Sequence, residues 1–186
     1  MSDDQTWATP VSVFEYIQEF LNVEFTLDAA ATFESTKCPY YFTKEDNAFK
    51  QEWFGNVWLN PPFGKGGKLQ REFIEKAVDE CLYLGHCKMV ACLIPARTDT
   101  KLFHQIIMKH ARKIYFIEGR INFVKAGNKV ESAGATFPSM LVIFRRPGTV
   151  SAKFPHLKSA RKPSRQRREH TMDTLHIPTA IRRGNQ

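Results

Sequence analysis

The residues best equipped for chemistry are Asn60-Pro61-Pro62-Phe63, which follow the apolar run Val57-Trp58-Leu59 and precede Gly64-Lys65-Gly66-Gly67. Val57 to Leu59 predicts a short buried strand, and the two prolines end its regular hydrogen bonding and stiffen the chain just beyond it. An amide, a stiffened carbonyl and a ring suit a flat heterocycle that carries an amino group. Asn60 Oδ1 and the Pro61 carbonyl can each accept one hydrogen of an exocyclic –NH2. Phe63 can stack on the ring, as enzymes that extrude a base require. The same residues also fit a strand followed by a proline-stiffened loop with an aromatic plug. The glycines that follow match neither a dinucleotide fingerprint nor a Walker loop, and they read as a turn able to rearrange around a substrate.

Other polar groups recur where strands are expected to end, the position of ligand crevices in open α/β sheets. Phe25 to Asp28 predicts a strand that ends in an acid, and the small residues Ala29-Ala30-Ala31 allow a ligand to approach the next turn. Asp28 there accepts from a ligand amine, or serves an ordinary turn or cap. Tyr40-Tyr41-Phe42 predicts a second short strand. Glu45 and Asp46 follow it as candidates for a ribose hydroxyl or an adenine amino group, with a solvated turn as the plain alternative. Lys88 to Pro95 is a continuous apolar run, the mark of a parallel strand covered on both faces. Arg97 beyond it can meet a phosphate or a cofactor carboxylate, and it shares a sheet edge with Asn60 if the two strands run parallel. Asp99 is expected to cap the helix that follows.

Helices must alternate with these strands. Val13, Phe14, Ile17 and Leu21 have helical spacing, with Thr9 or Ser12 as the cap and Asn22 as the stop. Leu69, Phe73, Ile74, Ala77, Val78 and Cys81 predict a second helix with a broad apolar face. Segments 113–118, 121–124 and 139–144 are expected to finish the sheet, with an antiparallel pair at its edge. The intervening loop, Lys125 to Pro138, would lie near the crevice, where Lys125 and Lys129 can face phosphate. The fold class is therefore α/β.

Composition bounds the rest. With 186 residues and 42% hydrophobic content, the chain is long enough for one sizeable core. Residues 151–186 carry nine Lys or Arg against two acids, so +7 of the net +8 lies there. A domain over 1–150 and a basic, flexible tail over 151–186 are expected. The densest stretch of that tail, Lys158 to Arg168, includes Arg161 and Lys162, and its charge suits a phosphate backbone or simple solubility. Cys38, Cys81, Cys87 and Cys92 have neither metal-ligand pairing nor disulfide density, and His104 and His110 lack zinc-helix spacing, so no metal is expected. The absence of a membrane-length apolar run or a secretory leader pattern gives the expectation of a soluble, intracellular protein.

Taken in order, Thr9-Pro10, Leu27-Asp28-Ala29-Ala30, Tyr41-Phe42-Thr43 with Glu45-Asp46, Trp53, Trp58 to Gly64, Ile94 to Asp99 and Phe137-Pro138-Ser139 form a constellation. It resembles the phage-type, Dam-like DNA adenine N6-methyltransferases over about residues 7–144. The resemblance implies a Rossmann-like methyltransferase sheet with helices on both faces. It also implies S-adenosylmethionine as methyl donor and a flipped adenine of double-stranded DNA as acceptor. Trp7, Thr9, Pro10, Asp28, Ala29 and Asp46 would then border the cofactor, and Asn60, Pro61, Pro62 and Phe63 would hold the adenine. On their charge, Arg97, Lys125, Lys129, Arg161 and Lys162 are the candidates to meet the DNA, with the basic tail outside the resemblance and its role compositional; the setting would be the cytoplasm of a bacterial host or phage-infected cell. The glycine-rich turn usual after the first strand of the wider superfamily is replaced by Asp28 to Thr32, and Phe63 stands where tyrosine is common. Three alternatives remain open: cytosine N4 as acceptor, a protein glutamine as acceptor, and a catalytically inactive DNA-binding relative.

Overall fold

The computed structural model describes residues 7–125, 137–147 and 171–175. Along the chain run β1 (Trp7–Ala8), α1 (Val11–Leu21), β2 (Leu27–Asp28), β3 (Tyr40–Tyr41), β4 (Gly55–Leu59), α2 (Lys68–Val78), β5 (Cys87–Pro95), α3 (Met108–His110), β6 (Lys113–Ile117), β7 (Val124–Lys125), β8 (Ser139–Arg145) and β9 (Thr171–Leu175). Seven of the strands form one mixed sheet in the order β3-β2-β4-β5-β8-β6-β9, while β1 and β7 pair apart from it. No helix among the described residues is long and apolar enough to cross a membrane.

The alternation along β5 explains its place in the middle of the sheet. Val90, Cys92 and Ile94 join Val57 and Leu59 of β4 under Phe73, Ile74 and Ala77 of α2. Met89, Ala91 and Leu93 point the other way, where they join Trp58 and meet Val13, Phe14 and Ile17 of α1. Successive strand residues face opposite sides, so an unbroken apolar run has two helical layers to fill. Phe14, Phe25 and Trp58 close one layer as an aromatic cluster with centroids 5.2–5.5 Å apart.

Helix ends show where local reading held and where it did not. α1 stops at Asn22, whose left-handed backbone lets its N–H reach the carbonyls of Gln18 and Glu19. Its start has Pro10 at the cap position and no side-chain cap bond from it, and the Thr9 hydroxyl has no partner among the described residues, so Thr9 does not do the expected work. After β5, Thr100 rather than Asp99 caps the helical segment Phe103–Ile107 that runs into α3: its hydroxyl accepts from the Phe103 N–H at 3.2 Å and donates to the Arg97 carbonyl at 3.0 Å.

The late strands differ from the expectation of an antiparallel edge pair. β8 runs antiparallel between β5 and β6, deep in the sheet, with Pro95 opposite Ser139 and Lys113 opposite Ile143. A second difference is β7, which lies at 124–125 and pairs with β1, Trp7 opposite Lys125. β9 falls within residues 151–186 and pairs parallel with β6, helped by a 3.0 Å ion pair between Lys113 and Asp173. The basic stretch Lys158 to Arg168 lies outside the described residues. Its described flanks, Arg145 and Thr171, sit at the sheet edge opposite the end of β4, because Arg145 pairs with Met89 and Thr171 with Lys113.

One buried carboxylate holds the segment that feeds β4. Glu80 is 1% exposed. Its Oε2 accepts the Trp53 backbone N–H at 3.1 Å and lies 2.8 Å from His86 Nδ1, while Lys76 bonds its other oxygen. Burial works to raise this carboxyl, but the bonds from Lys76, Trp53 and His86 outweigh it and hold the group below the usual glutamate value. Trp53 in turn donates its indole N–H to the Ala48 carbonyl at 3.0 Å. Glu80→Ala leaves a buried N–H and a lysine unanswered, and denaturant unfolding at pH 7 should register a loss of roughly 3 kcal/mol. The lowered folded pKa contributes stability above the ordinary glutamate value and loses it as pH falls, so the gap between wild type and variant should narrow below about pH 4.

Candidate active site

β2, β3, β4 and β5 run parallel, so their carboxyl ends share one edge. From β2 the chain passes to β3 on one side and returns to β4 on the other, which makes the gap between β2 and β4 the switch point where open sheets form a crevice. Asp28 is level with Trp58 across this gap, and the Ala29 N–H donates to the Trp58 carbonyl at 3.1 Å. Asp28 and Asn60 therefore stand on adjoining strands at the same edge. The next strand, β5, delivers Arg97 to that edge as well, through a tight turn in which the Arg97 N–H reaches the Pro95 carbonyl at 2.9 Å. The expectation that Arg97 and Asn60 share an edge is met.

Asn60 follows the last residue of β4, Pro61 is buried, and Phe63 is 39% exposed. No hydrogen bond from another described residue engages the Asn60 side chain or the Pro61 carbonyl. Both acceptors are thus available beside an accessible ring. The glycines after Phe63 make this geometry possible instead of leaving it loose. Gly64 takes φ 67° and ψ 176°, and a Cβ there would stand 2.6 Å from Leu69 Cβ. Gly67 has φ 79° and places its backbone where a Cβ would touch the tip of the Phe63 ring at 3.4 Å. The chain folds back over Phe63 into α2, and the Gln70 N–H donates to the Phe63 carbonyl at 3.4 Å.

On the other side of the crevice Asp28 is 5% exposed, and its Oδ1 accepts the Ala30 N–H at 3.3 Å. Burial pushes its carboxyl up to about 7, against the smaller downward pulls of that N–H and of the Lys37 ammonium. A buried acid so weakly compensated calls for a cationic or N–H-donating ligand. Thr9 is 2% exposed and its hydroxyl has no hydrogen-bond partner among the described residues. Pro10 beside it is buried, while Trp7 is 45% exposed. Ala29 is fully buried next to Asp28, small enough for close approach.

Asp46 is spent differently. Its Oδ2 accepts from the backbone N–H and the hydroxyl of Thr43, at 2.8 and 2.9 Å, and these bonds hold its carboxyl below the usual aspartate value. The turn it braces follows β3, whose continuation is tied to Asp28 through the Phe42 N–H on the Asp28 carbonyl at 2.9 Å. Only one carboxylate oxygen of Asp46 is left for another partner.

Arg97 is brought onto the tetrad itself. Its guanidinium carbon lies over the Phe63 ring at 4.9 Å and over the Phe137 ring at 4.2 Å, and the Ala96 N–H bonds the Pro138 carbonyl at 2.7 Å. Lys125 is in β7, while Lys129, Arg161 and Lys162 lie outside the described residues. The four cysteines are free and buried, and no group of three or more metal-capable side chains exists among the described residues. Sequence reading passed over Gln70. It is 5% exposed and lies beside Phe63 and Arg97; a polar residue on the otherwise apolar stripe of α2 was its one signal.

A family model described as DNA N-6-adenine-methyltransferase (Dam) matches residues 1–166. A DNA N-6-adenine-methyltransferase of Haemophilus phage HP1 (strain HP1c1) is 31% identical over 144 residues, covering 77% of this chain and 80% of that protein. Another of that description, from Escherichia phage T1, is 30% identical over 130 residues, covering 69% of this chain. The match takes in 51% of the T1 protein.

The Asp28 carboxyl makes stability pH-dependent in a set direction. Its raised folded value favours the folded state below the ordinary aspartate range, and that contribution is lost as pH rises to about 7. Asp28→Asn should therefore be more stable than wild type at pH 8, by up to roughly 4 kcal/mol, and no more stable near pH 4. Denaturant unfolding at the two pH values measures the difference, and an equal gap at both would show that the carboxyl is not held neutral.

Proposed function

The chain belongs to the DNA N-6-adenine-methyltransferase (Dam) family, and from that premise we propose that it methylates adenine N6 in double-stranded DNA with S-adenosylmethionine as donor, using Asn60 to Phe63 as the acceptor site. The observation that carries this reading is the unengaged Asn60 amide at the end of β4, beside an accessible Phe63 and across the switch point from Asp28. The order of the sheet, with parallel strands on both sides of the switch point and the antiparallel β8 between β5 and β6, supports a Rossmann-like methyltransferase core that takes in β9 beyond residue 150.

The donor set suits the cofactor. Asp28 answers a positively charged amino or sulfonium group, the Thr9 hydroxyl answers a polar one, and Ala29 permits close approach. Trp7, Pro10 and the remaining oxygen of Asp46 complete the proposed border. When bound, S-adenosylmethionine supplies an electrophilic methyl group.

The chain's own residues prepare the acceptor. The adenine amino nitrogen is a poor nucleophile because its lone pair is delocalised into the ring. Asn60 Oδ1 and the Pro61 carbonyl accept its two hydrogens, which draws the lone pair back onto N6 and fixes its direction. Pro61 and Pro62 hold these acceptors rigid. Phe63 stacks on the extruded base and offsets part of the cost of extrusion. Arg97 on the edge, Lys125 in β7, and Lys129, Arg161 and Lys162 in their basic segments are the proposed DNA contacts. Arg161 and Lys162 belong to the densest basic stretch of the chain, whose charge suits the phosphate backbone. A DNA substrate sets the reaction in the cytoplasm of a bacterial or phage-infected cell.

Incubation with methyl-labelled S-adenosylmethionine and unmethylated DNA should give N6-methyladenine. Labelled N4-methylcytosine, or labelled protein with unchanged DNA, would move the acceptor elsewhere. Asn60→Ala should lose about 100-fold or more in turnover while its unfolding transition is kept. Equal single-turnover rates for variant and wild type would remove Asn60 from the mechanism. Because a cationic ligand favours ionised Asp28, calorimetric affinity for S-adenosylmethionine should rise as pH passes upward through about 7, and Asp28→Asn should flatten that profile.

A further inference from the structure

Beside Phe63 lies a cavity that the acceptor site does not use. It measures about 300 Å³ between α2 and the loop after β5, and it is walled by Phe63, Gln70, Arg97, Ile94, Leu102 and Met140 but not by Asn60. That volume is at the small end of ligand cavities and suits one flat ring system.

Two polar groups in its wall lack partners. Gln70 is 5% exposed, and no hydrogen bond among the described residues engages its side-chain amide. Arg97 Nε is buried and likewise has none. The unmet Arg97 donor is costly in such a place, and a ligand that meets it binds with that gain, while the Gln70 amide is left open to a second contact. The setting also indicates the shape of the ligand. Phe63 and Phe137 lie against the guanidinium at 4.9 and 4.2 Å, so its stacking is taken up by the rings and its in-plane N–H groups are what remain to offer. Two further cations line the cavity, Lys68 at 3.7 Å from Glu72 and Arg71 at 2.9 Å from Glu75 in exposed ion pairs, whereas Arg97 has no ion-pair partner among the described residues. Of the remaining walls, Ile94, Pro95, Leu102, Ile107 and Met140 are apolar, while Lys68, Arg71 and Thr100 are polar. The apolar side takes the faces of a heterocycle, whereas a phosphate would lose its hydration against it.

We propose that this cavity receives the nucleobase next to the target adenine in the same DNA strand, and that Gln70 and Arg97 read its edge. The proposal rests on the acceptor site described above, because Phe63 is both the ring of the tetrad and a wall of the cavity, and so stands between the target base and its neighbour. Arg97 offers donors only, and the Gln70 amide offers both donors and an acceptor. Together they discriminate among bases by the acceptors and amino groups on the base edge. Arg97 and Gln70 are thus specificity-determining residues, and sequence context is set at a place the chemistry does not touch.

The test uses the full chain and duplexes with one target adenine, in which each of the four bases in turn occupies the position immediately 5′ or 3′ of the target. Wild type should show a preference of about tenfold or more in kcat/KM at one of the two positions, within the range that base-edge contacts give. Gln70→Met, which keeps the volume without the amide, and Arg97→Lys, which keeps the charge without the planar fork, should each reduce that preference to under about threefold, mainly by slowing the favoured context. Indifference of the wild type to both neighbours would overturn the proposal, as would an equal slowing of every context by the variants. Unfolding midpoints show that each variant is folded, and either one alone decides the matter. Absence of methyladenine from every wild-type reaction would instead count against the proposed reaction. The cavity is then judged by binding to the same duplexes with the neighbouring base removed: weaker binding by wild type, but not by the variants, supports it, and unchanged affinity overturns it.

Discussion

The parallel pairing of β4 with its two neighbours is the constraint on which the site depends. Leu27 and Asp28 lie level with Val57 and Trp58, and Trp58 and Leu59 lie level with Ala91 and Cys92. Parallel ladders fix direction as well as distance, so the chain leaving each strand emerges on the same edge. A buried acid, an amide and a guanidinium from three distant parts of the sequence therefore come together without any contact between neighbours in the chain. The two helical layers make this pairing durable. β5 is buried on both faces, and a shift of one residue in its register would exchange the groups packed under α1 and α2.

Rigidity at the edge comes from several short-range devices with different physical origins. Two prolines stiffen the chain after Asn60, and Gly64 and Gly67 adopt backbone angles that bring the return to α2 against Phe63. Glu80 ties the segment before β4 to the end of α2 through the Trp53 N–H and Lys76. Thr100 fixes the backbone of the loop that carries Arg97. Placement is thus settled before a ligand arrives, which lowers the ordering cost of binding.

The polar groups left over have a consistent distribution. Glu80 is buried and fully answered, so its carboxyl is lowered; Asp28 is buried and poorly answered, so its carboxyl is raised to about 7. Burial acts on both, and the number and charge of the partners decide the sign. Thr9 and Arg97 hold the two buried side-chain atoms without partners among the described residues, and Arg97 stands at the sheet edge that carries Asp28 and Asn60. A fold that satisfies its interior elsewhere has left these groups open where a ligand is expected.

Much of this was legible in the order of the residues. The tetrad's chemistry, the acid after β2, the apolar run of β5 and the Asn22 stop of α1 all depend on residue type and local spacing, which the chain carries by itself. The wider methyltransferase likeness was legible too, since it rests on several short motifs in a fixed order. What depended on partners far away in the sequence was not. That β8 would enter between β5 and β6, that β9 would join from residues 171–175, and that Thr100 rather than Asp99 would cap its helix were decided by competition among backbone partners once the sheet had formed. The same is true of Arg97 lying over Phe63 and Phe137, and of Gln70 facing a cavity from an apolar stripe. Residue types fixed which groups could do chemistry, but only the packing of helices on the sheet decided which of them would be left without partners, because burial and hydrogen-bond satisfaction are properties of the whole fold.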